Sequence, residues 1–164
     1  MQEQNFKIRV MEEKYDYLFT PAVLKLKKMG FTYVSFGAVD INGNTLAFFS
    51  HKKWAEYYAK HSLMLYDPCL QHLVNTDRFM AIWSALPRGH QKVDVMSARE
   101  EVIGIQDGVS LYYRYPSGVQ LIIGLGTQTQ AHLDRFLLNP KWFELDEAVE
   151  GLKKGYEKFM QIAK

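Results

Sequence analysis

The stretch FTYVSFGAVDINGNTLAFF, Phe31 to Phe49, decides the fold. Its two arms, FTYVSFGAV and NTLAFF, are aromatic and β-branched, the composition of strands that pack on a pleated surface. Between them Asp40-Ile41-Asn42-Gly43 carries the Asn-Gly signal of a tight turn, so the stretch predicts a β-hairpin. A second pair of arms, GVSLYYRY and GVQLIIGLG, is joined across Pro116-Ser117 and predicts another hairpin.

Helical patterns surround the hairpins. EEKYDYLFTPAVLKLKKMG, Glu12 to Gly30, places Tyr15, Leu18, Phe19, Ala22, Val23 and Leu26 at three- and four-residue steps; Pro21 inside it should bend or divide the helix. Between the hairpins, Ser50 is a candidate cap for a helix carrying Trp54, Tyr57, Tyr58 and His61. Asp67-Pro68 is a cap followed by proline at the first helical position, with Leu70, Leu73 and Val74 continuing a buried stripe. Asn139-Pro140 could open a C-terminal helix with Leu145, Val149, Leu152, Tyr156, Phe159 and Ala163 on one nearly heptad stripe. Pro87 to Glu100, PRGHQKVDVMSARE, is the most polar interior segment and reads as a flexible loop. The order helix, hairpin, helices, hairpin, helix predicts an α+β sandwich, an antiparallel sheet with helices packed on its faces.

Composition bounds the functional classes. At 164 residues and 48% hydrophobic, the chain has the length of one domain, taken as residues 1–164, and enough apolar material for a sizeable core. Twenty basic against eighteen acidic residues leave a net charge of +2, which argues against a surface built to hold phosphates, so no nucleic-acid partner is expected. The single cysteine, Cys69, cannot form an internal disulfide, and MQEQNFKIRV lacks the apolar core of a secretory signal; a cytoplasmic location fits. Apolar runs such as LIIGLG fall far below the ~18 residues of a membrane span, so no membrane partner is expected.

Motifs for catalysis or metal binding are weak. Cys69-x-x-His72 has ligand-like spacing but no second pair to complete a four-ligand site, and no cofactor or metal is expected. GLGTQTQ lacks the third glycine and the lysine of phosphate-cradling loops. No catalytic motif marks the chain as an enzyme. Two readings stand for WAEYYAKHSLMLYDP, Trp54 to Pro68. Trp54 and Tyr58, at i and i+4, share a helix face as ordinary core, with Asp67 a simple cap; or they form the polar end of a buried pocket.

Taken in order, Trp54, Tyr58, Asp67-Pro68, Trp83, IGIQDGVS with Ser110 at its end, and Gly118 between two strands resemble the autoinducer-binding domain of LuxR-type quorum-sensing regulators. The similarity runs from about Met29 to Thr127 and includes KMGFTYVSF and FMAIWSALP. It implies an α-β-α sandwich around a five-stranded antiparallel sheet, with an acyl-homoserine lactone enclosed between sheet and helices. It further implies that Trp54 donates to the lactone carbonyl and Asp67 accepts from the amide N–H. Tyr58 would line the acyl chain or join the polar cluster, Trp83 would wall the lactone ring, and Ser110 belongs to the same ligand site.

Two positions depart from the family pattern. Where the family often has a tyrosine facing the acyl carbonyl, this chain has Ser50; where a hydroxyl residue stands on the last strand, it has Gly124, marking a bulge or a close backbone approach. Together these departures imply a cavity enlarged by a missing side chain and a ligand that need not be a standard lactone. The family's helix-turn-helix DNA-binding domain would begin about where this chain stops, at Lys164. The expectation is therefore a small-molecule sensor of acyl or aryl signals, acting as a homodimer. The alternative is an interaction protein that pairs with a full-length regulator through the Leu145 to Ala163 stripe, and an enzyme acting on the signal is a third reading.

Overall fold

The computed structural model describes residues 7–74, 79–87 and 93–163. A six-stranded sheet runs in the order β1-β3-β2-β6-β5-β4, formed by β1 (Lys7–Val10), β2 (Tyr33–Val39), β3 (Asn44–Phe49), β4 (Met80–Ile82), β5 (Asp107–Arg114) and β6 (Gln120–Thr127). Both predicted hairpins are present as β2–β3 and β5–β6. The sheet has one strand more than the five expected, and it is not wholly antiparallel, because β1 pairs in parallel with β3. The first turn is held by Asp40, whose carboxylate accepts the Asn42 and Asn44 backbone N–H groups at 2.9 Å each, while Gly43 takes φ 81°.

Among the described residues six helices cover the two faces: α1 (Thr20–Lys28), α2 (Lys52–Lys60), α3 (Pro68–Val74), α4 (Val95–Ile103), α5 (Gln130–Leu138) and α6 (Trp142–Ile162). Pro21 divides the first helical pattern as expected: a 3₁₀ segment, Glu13–Leu18, precedes α1, and the proline falls in the first turn of α1, where its missing N–H costs nothing. Strand residues alternate between two cores. Val34, Phe36, Val109, Leu111, Leu121, Ile123 and Leu125 belong to the core under α1, α5 and α6, with Phe19, Leu26, Leu133 and Leu152. Tyr33 and Tyr112 belong to the core under α2, α3 and α4, with Trp54, Tyr58, Leu70, Trp83 and Val95.

Three expectations change. Ser50 does not cap α2: the cap position is His51, and the Ser50 hydroxyl instead accepts the Val34 N–H of β2 at 2.9 Å. The polar segment Pro87 to Glu100 is not all loop, since α4 begins at Val95, capped by the Asp94 carboxylate accepting from Ser97 N–H and ended by Gly104; residues 88–92 of it, and the side chain of Val74, lie outside the described residues. The C-terminal helix starts at Trp142, and a separate α5 precedes it, capped by Thr129. On α6, Leu145, Val149, Leu152 and Phe159 are buried in the core, Tyr156 packs beside Phe36, and Ala163 is exposed. Leu145, Val149, Leu152 and Phe159 of the apolar stripe are thus spent inside the fold.

This placement separates two kinds of α6 residue. Leu152→Ala is expected to lower stability by about 2–5 kcal/mol, while Met160→Ala, 44% exposed, should change it by no more than about 0.5 kcal/mol. Urea unfolding of both variants measures the contrast; equal effects would place the stripe outside the core.

Candidate functional site

The buried polar atoms of the α2–α3–α4 layer converge on Asp67, which is 6% exposed. The Tyr58 hydroxyl on α2 donates to its Oδ2 at 2.8 Å, the Cys69 backbone N–H in the first turn of α3 donates to Oδ1 at 3.0 Å, and Arg99 Nη2 on α4 stands 3.7 Å from Oδ2. Asp67 is thus both the cap of α3 and the acceptor of a buried polar cluster, so the two sequence readings describe one residue. Burial, then the charge of Asp67, hold the Tyr58 phenol well above its ordinary range, and it stays a donor.

Arg99 is the residue that sequence reasoning missed. It is 3% exposed, and its guanidinium lies 4.4 Å from the Trp83 ring, 5.3 Å from Trp54 and 5.7 Å from Tyr33, a desolvated cation held against three aromatic faces. Nη1 approaches Met96 Sδ at 3.1 Å. Among the described residues its Nε–H, and the indole N–H of the fully buried Trp54, have no hydrogen-bond partner. The signal for Arg99 was present in Asp94 and Gly104 as the two ends of a helix, with Val95, Arg99 and Val102 at helical spacing between them.

The sheet supplies the opposite wall. Ser35 on β2, Gly124 on β6 and Ser110 on β5 pair directly across three strands in regular register, without a bulge. A Cβ at Gly124 would lie 2.4 Å from Ser35 Oγ and 3.4 Å from Trp83, so the space given up by the glycine is filled by the neighbouring serine and the indole. The expected enlargement of the cavity does not occur, and a hydroxyl reaches the same spot from the adjacent strand. Gly108 seats the same tryptophan: a Cβ there would lie 2.3 Å from the Leu125 carbonyl and 2.9 Å from the ring. Trp83, so placed, donates its indole N–H to Ser110 Oγ at 2.8 Å.

Between these walls lies a cavity of about 60 Å³. Tyr58, Asp67, Trp83, Arg99, Ser35, Ser110 and Gly124 line it, together with apolar side chains that include Ile8, Ala47, Phe49, Met64, Leu70 and Ile122. Of the seven residues taken from the sequence, five line the cavity; Trp54 sits against Arg99 and Tyr58 away from its wall, and Ser50 is tied to the backbone of β2. Cys69 lines the cavity as a buried thiol pushed up by burial and by Asp67, and His72 packs on Tyr112. Among the described residues no group of three His, Cys, Asp or Glu side chains is placed to hold a metal ion, and no helix is long and apolar enough to cross a membrane.

A mostly apolar cavity with a few convergent polar groups is the kind of place where a small molecule binds. The model of the autoinducer binding domain matches residues 17–139, three quarters of the chain, and the chain belongs to that family, the signal-binding part of LuxR-type quorum-sensing regulators. No curated protein sequence matches it. Among solved structures, the fold is similar to the N-acylhomoserine lactone dependent LuxR family transcription factor CepR2 from Burkholderia cenocepacia, with TM-score 0.63, 17% identity and 80% of each chain covered. It is also similar to SdiA in complex with octanoyl-rac-glycerol, with TM-score 0.59, 15% identity and 88% of this chain covered; the match spans 61% of the SdiA chain. The VqsR ligand-binding domain of Pseudomonas aeruginosa gives TM-score 0.55 at 13% identity, over 88% of this chain and 89% of that one.

Two outcomes follow from the site's geometry. Cys69 should stay unmodified by a disulfide thiol reagent at pH 8 in the folded protein and react promptly in urea; fast reaction in buffer would mean that the thiol is not enclosed. Gly108→Ala should cost about 1–3 kcal/mol and shift the tryptophan fluorescence, because the new methyl meets the Trp83 ring and a backbone carbonyl.

Proposed function

We propose that the chain is a cytoplasmic sensor, one folded unit over residues 1–164, that binds an acylated signal of the acyl-homoserine lactone type or a related acyl molecule in this cavity. The observation that carries the reading is the Asp67 carboxylate, buried on the cavity wall with Tyr58 and Arg99 oriented onto it. Tyr58 and the Cys69 N–H occupy part of its acceptor capacity, one site on each oxygen, and the rest remains for a ligand N–H or O–H. Trp83, seated on Gly108 and Gly124, walls the head group, and the Ser35 and Ser110 hydroxyls face it from the sheet. Apolar side chains of the wall, Met64 and Leu70 among them, give way to take the tail, which a cavity of about 60 Å³ does not hold as it stands. That one structural relative depends on an N-acylhomoserine lactone and another holds an octanoyl glycerol supports an acyl ligand with a polar head.

A ligand that binds only the folded state stabilises it by about 2.7 kcal/mol at a hundredfold excess over Kd. The signal thereby becomes persistence of the folded domain, and dimerisation with a second copy or a related regulator follows from that persistence. Thermal unfolding tests the reading with acyl-homoserine lactones graded in tail length and free fatty acids as controls. The midpoint should rise by about 5–10 °C, peaking at one tail length. In Asp67→Asn the ligand-dependent rise should disappear. Equal response to lactones and fatty acids, or a full rise in the variant, would remove Asp67 from the site.

A further inference from the structure

We infer that Ile8 of β1 is the end wall of the cavity and sets the longest tail that the site admits. The inference rests on the proposed acyl-binding site and goes beyond it by assigning specificity to a strand outside the residues that match the family. That match covers residues 17–139, and β1, Lys7–Val10, precedes them. It is the sixth strand, which the resemblance did not imply, lying parallel to β3 at the edge of the sheet. Its Ile8 nevertheless lines the cavity.

The strand order gives the cavity a direction. Its sheet side runs from Ser110 on β5 through Gly124 on β6, Ser35 on β2 and Ala47 on β3 to Ile8 on β1. Four strand spacings separate the two ends, on the order of 19 Å. The polar groups gather toward β5. Trp83 donates to Ser110, and Cys69, whose N–H holds Asp67, accepts the Tyr112 hydroxyl of the same strand through its carbonyl at 3.0 Å. Ala47 and Ile8 at the other end are apolar, and Thr45 beside them turns its hydroxyl to the Gly43 carbonyl at 3.4 Å. A head group at Asp67 therefore sends its tail across the sheet toward β1.

The walls along this path differ in how far they yield. Met64 is flexible and sits in a short 3₁₀ turn, Leu63–Leu65. Ile8 is branched at Cβ and stiff, and its strand is fastened on both sides of it: the Lys7 N–H donates to the Gly43 carbonyl at 3.1 Å and the Met11 N–H to the Ala47 carbonyl at 2.8 Å. A tail makes room by moving Met64 and stops at Ile8. Val10, on the same face of the strand, faces a separate hollow beside Met11 and Ala55 and serves as the internal comparison.

The test grades N-acyl-homoserine lactones from butanoyl to tetradecanoyl and reads the rise in unfolding midpoint of each variant above its own ligand-free value. The wild type should peak at one tail length. In Ile8→Ala the peak should move to tails about two carbons longer, since the deleted carbons leave that much room. Val10→Ala, which loosens the same strand without opening the cavity, should keep the wild-type peak. If I8A does not fold, Ile8→Val should move the peak in the same direction by about one carbon. An unmoved peak in the folded Ile8 variant, the same displacement in V10A, or a wild type whose response keeps rising to the longest tail would overturn the end wall. A wild type that responds to no lactone would instead overturn the site reading on which the inference rests.

Discussion

A carboxylate buried against a sheet is the constraint from which the ligand-side layer is built. Left unpaired, an ionised carboxylate in an apolar setting costs more than a domain of this size can bear. Asp67 is tolerated because two hydrogen-bond donors and one cation reach it, each from a different helix: Tyr58 from α2, the Cys69 N–H from α3 and the Arg99 guanidinium from α4. One side chain thus fixes the mutual placement of three short helices. Arg99 carries the same constraint outward, since its guanidinium in turn needs the rings of Trp54, Tyr33 and Trp83. The aromatic residues of this layer are therefore at once hydrophobic core and a setting for charge, which is why reading them as one or the other from spacing alone stayed undecided.

The sheet meets this network with an asymmetric surface. On β2, β6 and β5 the residues facing α1, α5 and α6 include Val34, Phe36, Leu121, Ile123, Leu125, Val109 and Leu111, branched or aromatic, with Ala38 beside them. Their neighbours facing the other way are Ser35, Gly124 and Ser110, in one row across three strands. Small side chains in that row leave the cavity, and the glycines let Trp83 lie close to the sheet. Period-two alternation has here been used to separate a packed face from a recognition face.

What the sequence disclosed and what it hid follow from the range of the forces involved. The hairpins were legible because turn chemistry is local: Asp40 and Gly43 act on their own neighbours. Asp67-Pro68 was legible for the same reason. Strands β1 and β4, with four and three residues, gave no pattern, and their pairing depends on partners distant in sequence. Helix α4 was hidden by its own composition: a charged residue facing inward, with polar neighbours, erases the apolar stripe by which a helix is read. The place of Ser35 beside Gly124 was equally beyond reach, since it is fixed only once the register of β2 against β6 is known. The resemblance to a family pointed to Gly124 as a loss; the register places the Ser35 hydroxyl of the neighbouring strand in the space beside it.

The two faces of the sheet also differ in how they resist change. Under α1, α5 and the 21-residue α6, the core is apolar and interdigitated, and a side chain cannot shift without opening a void. Under α2, α3 and α4, of nine, seven and nine residues, cohesion depends on a polar cluster and on adaptable side chains such as Met64 at the cavity wall. A cavity of about 60 Å³ holds a head group or a few waters, not a head group with its acyl chain. On the proposed function the tail must therefore displace wall residues, and the yielding layer is the one that can let it in. The rigid face then holds the sheet in place while the other face repacks around the ligand, so that ligand contacts become part of the second core and occupancy is felt as stability of the whole layer.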